Sequence, residues 1–238
     1  MRSRSLSFGE GWGEAFNFYK MTHLDTEITR LKEELNEMMN LTISQIKKTF
    51  DALSRNEKDL AREVVFYEKR VNSLELKIDR DCENTLALLS PVATDLRFVL
   101  SVLKINSHLE RIADNAEGIS RYITEDKMSN EISLFKNCGL DKMFTVCLDM
   151  LRDVANAFDN EDASIARTVF SKDDILDQIN RSASDIATEF IRANPDKISE
   201  ALFILSTVRK LERVGDLATN IAEEIIFYIE AKVLKHKS

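Results

Sequence analysis

Acidic side chains recur in this chain at a spacing that suits cation chemistry. Leu109-Glu110-Arg111-Ile112-Ala113-Asp114 returns 102 residues later as Leu211-Glu212-Arg213-Val214-Gly215-Asp216. Carried on to Ile119 and Ile221, the two segments share six identities in eleven aligned positions. An amphipathic helix must repeat its apolar spacing, but it has no need to repeat Glu, Arg and Asp. The two acids of each copy stand at i and i+4, which sets both carboxylates on one helical face. Side by side and next to an apolar stripe they repel one another. A cation is the simplest compensation.

The pattern extends upstream of each copy. Glu68, Asn72 and Glu75 stand at i, i+4 and i+7, and Asp173, Asp177 and Asn180 repeat that spacing. The repeated segments supply Glu110, Asp114 and Glu117, then Glu212, Asp216 and Asn220. If the two rows of a half face each other, carboxylate and amide oxygens collect between them. Mg²⁺ and Ca²⁺ accept such donors, and Fe and Mn also bind carboxylates in helical bundles. Without a cation, unpaired buried carboxylates are strongly disfavoured. The alternative is an ordinary solvated acidic face, with Arg111, Arg213, Lys104 or Lys210 as ion-pair partners. The recurrence of identities favours metal, because a solvated face has no reason to repeat them. A di-iron oxidase site is excluded, since it needs Glu three residues before His. His23, His108 and His236 all lack it.

Helices must position these rows. From Asp25 the apolar residues recur every three or four positions, as in Leu31, Leu35, Met38 and then Val64, Val71, Leu74, Ile78. The pattern predicts six helices in two sets of three, at about 25–53, 57–89, 91–122, 140–158, 163–192 and 195 onward. Ser90-Pro91 and Asn194-Pro195 each read as an N-cap followed by proline at the first helical position. Both prolines of the chain therefore open a motif-bearing third helix. Polar 124–138 reads as the linker. The predicted fold is all-α, two tandem three-helix bundles related by an internal repeat, over 25–124 and 139–236. Residues 1–24 hold three of the six glycines and read as a disordered tail or an upstream extension.

Composition narrows the function. A net charge of −8, with no strong Lys/Arg cluster, argues against nucleic acid. Three cysteines without a C-x-x-C pair make a disulfide framework or thiolate metal site unlike this chain and fit a reducing cytoplasm. No apolar run reaches the roughly 20 residues of a membrane-spanning helix. No P-loop, Rossmann glycine pattern, nucleophile elbow or His–Cys pair at informative spacing is present. The expectation is a protein without enzymatic activity.

An ordered set of segments resembles the PhoU family of phosphate-signalling regulators across about Asp25 to His236. In the first half it comprises Tyr67-Glu68-Lys69-Arg70-Val71-Asn72-Ser73-Leu74-Glu75, Ser90-Pro91-Val92-Ala93-Thr94-Asp95-Leu96-Arg97, Leu103-Lys104-Ile105 and Leu109-Glu110-Arg111-Ile112. In the second it comprises Asp173-Asp174-Ile175-Leu176-Asp177, Leu211-Glu212-Arg213-Val214-Gly215-Asp216 and Asn220-Ile221-Ala222-Glu223. The resemblance implies two similar three-helix bundles with multinuclear iron or zinc clusters on E/D-x-x-x-D motifs. It also implies a cytoplasmic, often dimeric negative regulator of the phosphate-starvation response. Such a regulator links the high-affinity phosphate ABC transporter, through its ATPase subunit, to a membrane sensor histidine kinase, and meets the membrane only through these partners.

By position, the implied ligands are Glu68, Glu110 and Asp114, then Asp173, Asp177, Glu212 and Asp216; Asn72, Glu75 and Asn220 complete the rows. The family motif usually reads E-R-I-G-D-H-A-x-N-I. The first copy departs from it at Ala113, Asn115 and Gly118. The second keeps Gly215 and Asn220 and departs at Leu217. The second half is therefore expected to be the better metal site. The other reading left open by the residues is a metal-free helical adaptor, or an accessory of another phosphate transporter, whose acids form a docking surface.

Overall fold

The computed structural model describes residues 22–125 and 132–234. Most of the tail expected at 1–24 lies outside the described residues, as does 126–131 of the linker. The first helix, α1 (His23–Arg55), starts two residues before the expected Asp25 because Thr22 caps it. The Thr22 hydroxyl accepts from the Asp25 amide at 3.1 Å, and the Asp25 carboxylate accepts from the Thr22 amide at 2.9 Å. This reciprocal box satisfies two of the amides that a helix start leaves open. Asn56 then ends α1 in the left-handed region with φ 54°, a conformation Asn tolerates better than most residues.

Helices α2 (Lys58–Leu89) and α3 (Ala93–Thr124) complete the first set. Here one expectation fails. Ser90 does not cap α3; it closes α2 at φ 47°, and Val92 occupies the cap of α3. Pro91 thus lies in the connection, where its missing N–H is harmless and its ring bars continuation of α2. The second proline comes closer to expectation. Asn194 ends the helix before it, and Pro195 opens a 3₁₀ turn, Pro195–Lys197, that runs directly into the last helix.

The polar linker also conceals structure. A six-residue helix, α4 (Ile132–Asn137), precedes α5 (Leu140–Asp159), with Leu134 and Phe135 buried. Six residues are less than two turns, too few to display a helical period. The chain continues as α6 (Ala163–Ala193) and α7 (Ile198–Glu230). Helices α1, α2 and α3 pack on one another, as do α5, α6 and α7. Among the described residues no strand occurs. No helix among them is long and apolar enough to cross a membrane.

The two sets adjoin along α3 against α7 and α1 against α5, and one continuous apolar core joins them. Aromatic rings mark the seam: Phe50 stacks on Phe144 at 5.0 Å, Tyr122 on Phe203 at 3.8 Å, and Phe98 on Phe158 at 6.0 Å. Polar contacts fix the register of α3 on α7. The Ser101 hydroxyl donates to the Glu224 carbonyl at 3.2 Å, and the Tyr122 hydroxyl donates to the Ser199 carbonyl at 3.2 Å. One end of α3 thus meets the opposite end of α7, so the helices run antiparallel.

Candidate functional site

The first acidic face lies where α2 packs on α3. Glu68 is buried, at 6% exposure, in the row that carries the apolar Val64 and Val71 toward the core. Both of its carboxylate oxygens are shielded from solvent and accept no hydrogen bond. Its neighbour across the helix contact is Asp114, another carboxylate, and the two can share a hydrogen bond only when one carries a proton. Burial pushes the Glu68 carboxyl up from 4.5 to about 8, reinforced by the charges of Asp114, Glu117 and Glu110. Burial also raises Glu75, with Asp79 and Asp114 adding to it, and raises Glu110, with Asp114 and Glu75 adding to it. Asp114 and Asn72 are exposed. The face is thus a buried glutamate beneath a rim of carboxylates, with Asn72 turned outward.

The second face, between α6 and α7, is shallower. Asp173, Asp177 and Glu212 are half-buried and Asp216 is exposed. Burial raises Glu212, followed by the charges of Asp216 on its own helix and Asp177 across the contact. Asp177 is partly neutralised by Arg181 at 3.4 Å. Asn180 and Asn220 are half-buried. Asp173 reaches inward: its charge raises the buried Cys147 thiol, after burial itself.

A difference between the copies acquires a physical reason here. A Cβ on Gly215 would lie 2.7 Å from the Asp173 carboxylate and 2.4 Å from Leu176. Glycine is required for the short aspartate to approach α7. At the corresponding positions the first half has the longer Glu68 and a buried Ala113. The Gly-to-Ala departure noted in the sequence is thus accompanied by an Asp-to-Glu change on the facing helix, a coupling that neither segment reveals alone.

Of the four basic residues expected to pair with these acids, the two lysines do not. Lys104 bonds Glu224 at 2.9 Å, and Lys210 pairs with no carboxylate among the described residues. Arg111 and Arg213 only moderate Glu110 and Glu212 from nearby, each as the smallest contribution. Chemically, the donor set suits a cation: hard oxygens, one glutamate buried without a donor, and an aspartate lodged in a space that a Cβ would fill. Among the described residues, however, no group of three or more His, Cys, Asp or Glu converges closely enough to hold a metal ion as the side chains stand. Side chains of the rim would have to swing inward to complete a coordination sphere. Buried Cys82, pushed up to about 12, and Cys138, pushed up to about 11, stay as inert thiols.

The arrangement defines a class before it defines a family: a duplicated helical bundle that displays acidic faces at the α2–α3 and α6–α7 contacts and shows no catalytic constellation among the described residues. The PhoU domain model matches residues 35–123 and 140–225, one match in each half, and the chain belongs to this family. It is 29% identical over 216 residues to the phosphate-specific transport system accessory protein PhoU homolog 1 of Thermotoga maritima, covering 90% of this chain and 91% of that protein. Against the PhoU homolog of Caulobacter vibrioides it is 31% identical over 208 residues, covering 87% and 90%. The fold resembles the crystal structure of PhoU from Pseudomonas aeruginosa with a TM-score of 0.81 and 27% identity, over 88% of this chain and 100% of that one. The phosphate transport system regulatory protein PhoU from Streptococcus pneumoniae superposes with a TM-score of 0.77 and 26% identity, over 90% and 100%.

Proposed function

We propose that this protein is an accessory of a phosphate ABC transporter that restrains the phosphate-starvation response, working through contacts with the transporter ATPase and a sensor histidine kinase in the cytoplasm. Cations, iron or zinc by the family resemblance, bind the two acidic faces and shape the surface that partners meet. The observation that carries the cation part is the buried Glu68 carboxylate, which lies among acids and has no donor. The chain's own residues do the remaining work. The α2–α3 and α6–α7 contacts fix the backbone positions from which the acids reach, and the joined core keeps the two faces in a constant relation.

The faces differ in readiness. At neutral pH Glu68 retains its proton, and a cation must displace it. On the second face burial raises Glu212 in the same direction, and the more faithful motif favours that face as the better cation site. The metal content of protein purified without an affinity metal tests this. Asp173→Ala with Asp216→Ala should remove most of the metal at pH 6.5. Glu68→Ala with Asp114→Ala should matter mainly at pH 8.5. Equal losses at both pH values would refute the asymmetry. Deleting the gene should switch on phosphate-starvation genes in phosphate-rich medium, and an unchanged expression profile would sink the regulatory reading. One observation favours a metal-free adaptor as the second reading: no three acidic ligands converge among the described residues. Protein purified metal-free that still restrains the response when restored to cells would establish it.

A further inference from the structure

A second polar feature lies away from both acidic faces, at the seam between the two sets of helices. A cavity of about 320 Å³ opens between the end of α3 and the first half of α7, with Gly118 and Ile119 on one side and Phe203 and Lys210 on the other. That volume is at the lower end of the range for small-molecule sites. Lys210 is half-buried in it and has no carboxylate partner among the described residues. Its own helix offers none either: the positions three and four away are Ser206, Thr207, Arg213 and Val214.

Gly118 makes this placement possible. A Cβ there would lie 2.7 Å from Lys210 Nζ and 3.2 Å from its Cε, so the lysine lies over the bare backbone. Gly118 is the position at which the first motif departs from the Asn found in the second copy, Asn220. The departure and the unpaired lysine are thus one feature. Ser206, one turn before Lys210 on α7, lines the cavity beside it, and Ser199 lines the far end, two turns further back. Thr207 is buried and its proton is committed to the Phe203 carbonyl at 3.0 Å, which leaves its oxygen only as an acceptor. Leu202 and Phe203 supply an apolar wall, and Leu202 is 56% exposed toward the opening.

We propose that this cavity binds a small organic phosphate monoester, with its head group on Lys210 and Ser206 and its apolar body against Leu202 and Phe203. The cation and the hydroxyl donor suit an oxyanion with several acceptor atoms. The apolar wall and the volume suit a body larger than the bare ion. The choice of phosphate over carboxylate rests on the proposed role in phosphate transport; the anion site itself does not. Because α3 belongs to the first set and α7 to the second, a bound ligand bridges the halves.

Binding is read on the purified full-length protein by amide NMR shifts and calorimetry, with phenyl phosphate as the probe and phenylacetate, phenol and inorganic phosphate as comparisons. Phenyl phosphate should shift the Gly118 and Ser206 amides, with phenol inert and inorganic phosphate weaker. Lys210→Met should weaken it roughly tenfold or more, the loss expected for a charge-assisted contact. Gly118→Ala should also weaken it by displacing the lysine, and folding should tolerate this change because only the flexible end of Lys210 must move. Phenylacetate binding more tightly than phenyl phosphate would overturn the phosphate assignment. No shift with any anion, or equal affinity in Lys210→Met, would overturn the site. None of these readouts depends on gene expression, so failure here is distinct from failure of the regulatory reading.

Discussion

Glu68→Gln should make the metal-free protein more stable at pH 8 and flatten much of its pH dependence between about pH 5 and pH 8. The carboxyl has its ordinary value of 4.5 in the unfolded chain and about 8 when folded. Between those values the native state holds a proton that the unfolded state has released. Unfolding then becomes easier as pH rises, and the loss is complete once pH passes the folded value. The integrated cost is on the order of 2–5 kcal/mol for a shift of this size. Gln carries no charge, and its amide can donate to Asp114, replacing repulsion with a hydrogen bond. Urea unfolding followed by circular dichroism across pH 5 to 9, with exposed Asp185→Asn as control, measures the effect. Glu75, Glu110 and Glu212 are raised as well and act in the same direction, so some slope remains. A slope in Glu68→Gln equal to that of the wild type would show that the buried carboxylate is not the source.

Cation binding makes the opposite prediction for the same pair of proteins. A cation on the ionised Glu68 offsets the repulsion and stabilises the native state by mass action. Added divalent metal should therefore raise the midpoint of the wild type, more at pH 8 than at pH 6, because the competing proton has gone. Glu68→Gln should show little of this added response. Gain of stability without metal and loss of response to metal, in one substitution, separates a ligand from a residue that merely packs.

The acidic rows were legible in the sequence because a helix converts spacing into direction: i, i+4 and i+7 must share a face. Spacing does not say how deep a face lies. Glu68 and Asp114 satisfy the pattern equally, yet one is buried and the other exposed. Depth depends on how α2 leans on α3, which the apolar residues of both helices decide together. The same limit applies at the caps. Ser90-Pro91 carries the signature of a helix start, but Ser90 serves to finish α2, since a left-handed residue can end a helix as readily as a polar one can begin the next. Gly118 was visible as a departure from the motif, but its meaning depends on Lys210, 92 residues later on α7. No periodicity links those two positions; only the antiparallel contact of the halves does.

That contact carries the other large effect. Phe158→Ala should lower the stability of the whole protein by about 3–5 kcal/mol, the usual range for a large aromatic removed from a core. Phe158 is fully buried at the end of α5. It stacks with Phe98 of α3, and its ring centroid lies 6.1 Å from that of Tyr228 on α7. The Tyr228 hydroxyl also lies 3.5 Å from the Phe158 carbonyl. Truncation therefore opens a cavity where a helix of the first set meets two of the second. If the halves were independent bundles joined at a surface, the loss would be confined to the second half and two unfolding transitions would appear. Their core is continuous, so one transition should persist, displaced to lower denaturant. Hydrogen exchange should show faster exchange in the buried turns of α3 as well as α5. Phe66→Ala, at a ring that is 70% exposed, should change stability by no more than about 0.5 kcal/mol. Separate transitions in Phe158→Ala would mean that the two acidic faces are not held in fixed relation, and that neither a partner nor a ligand at the seam could read one face through the other.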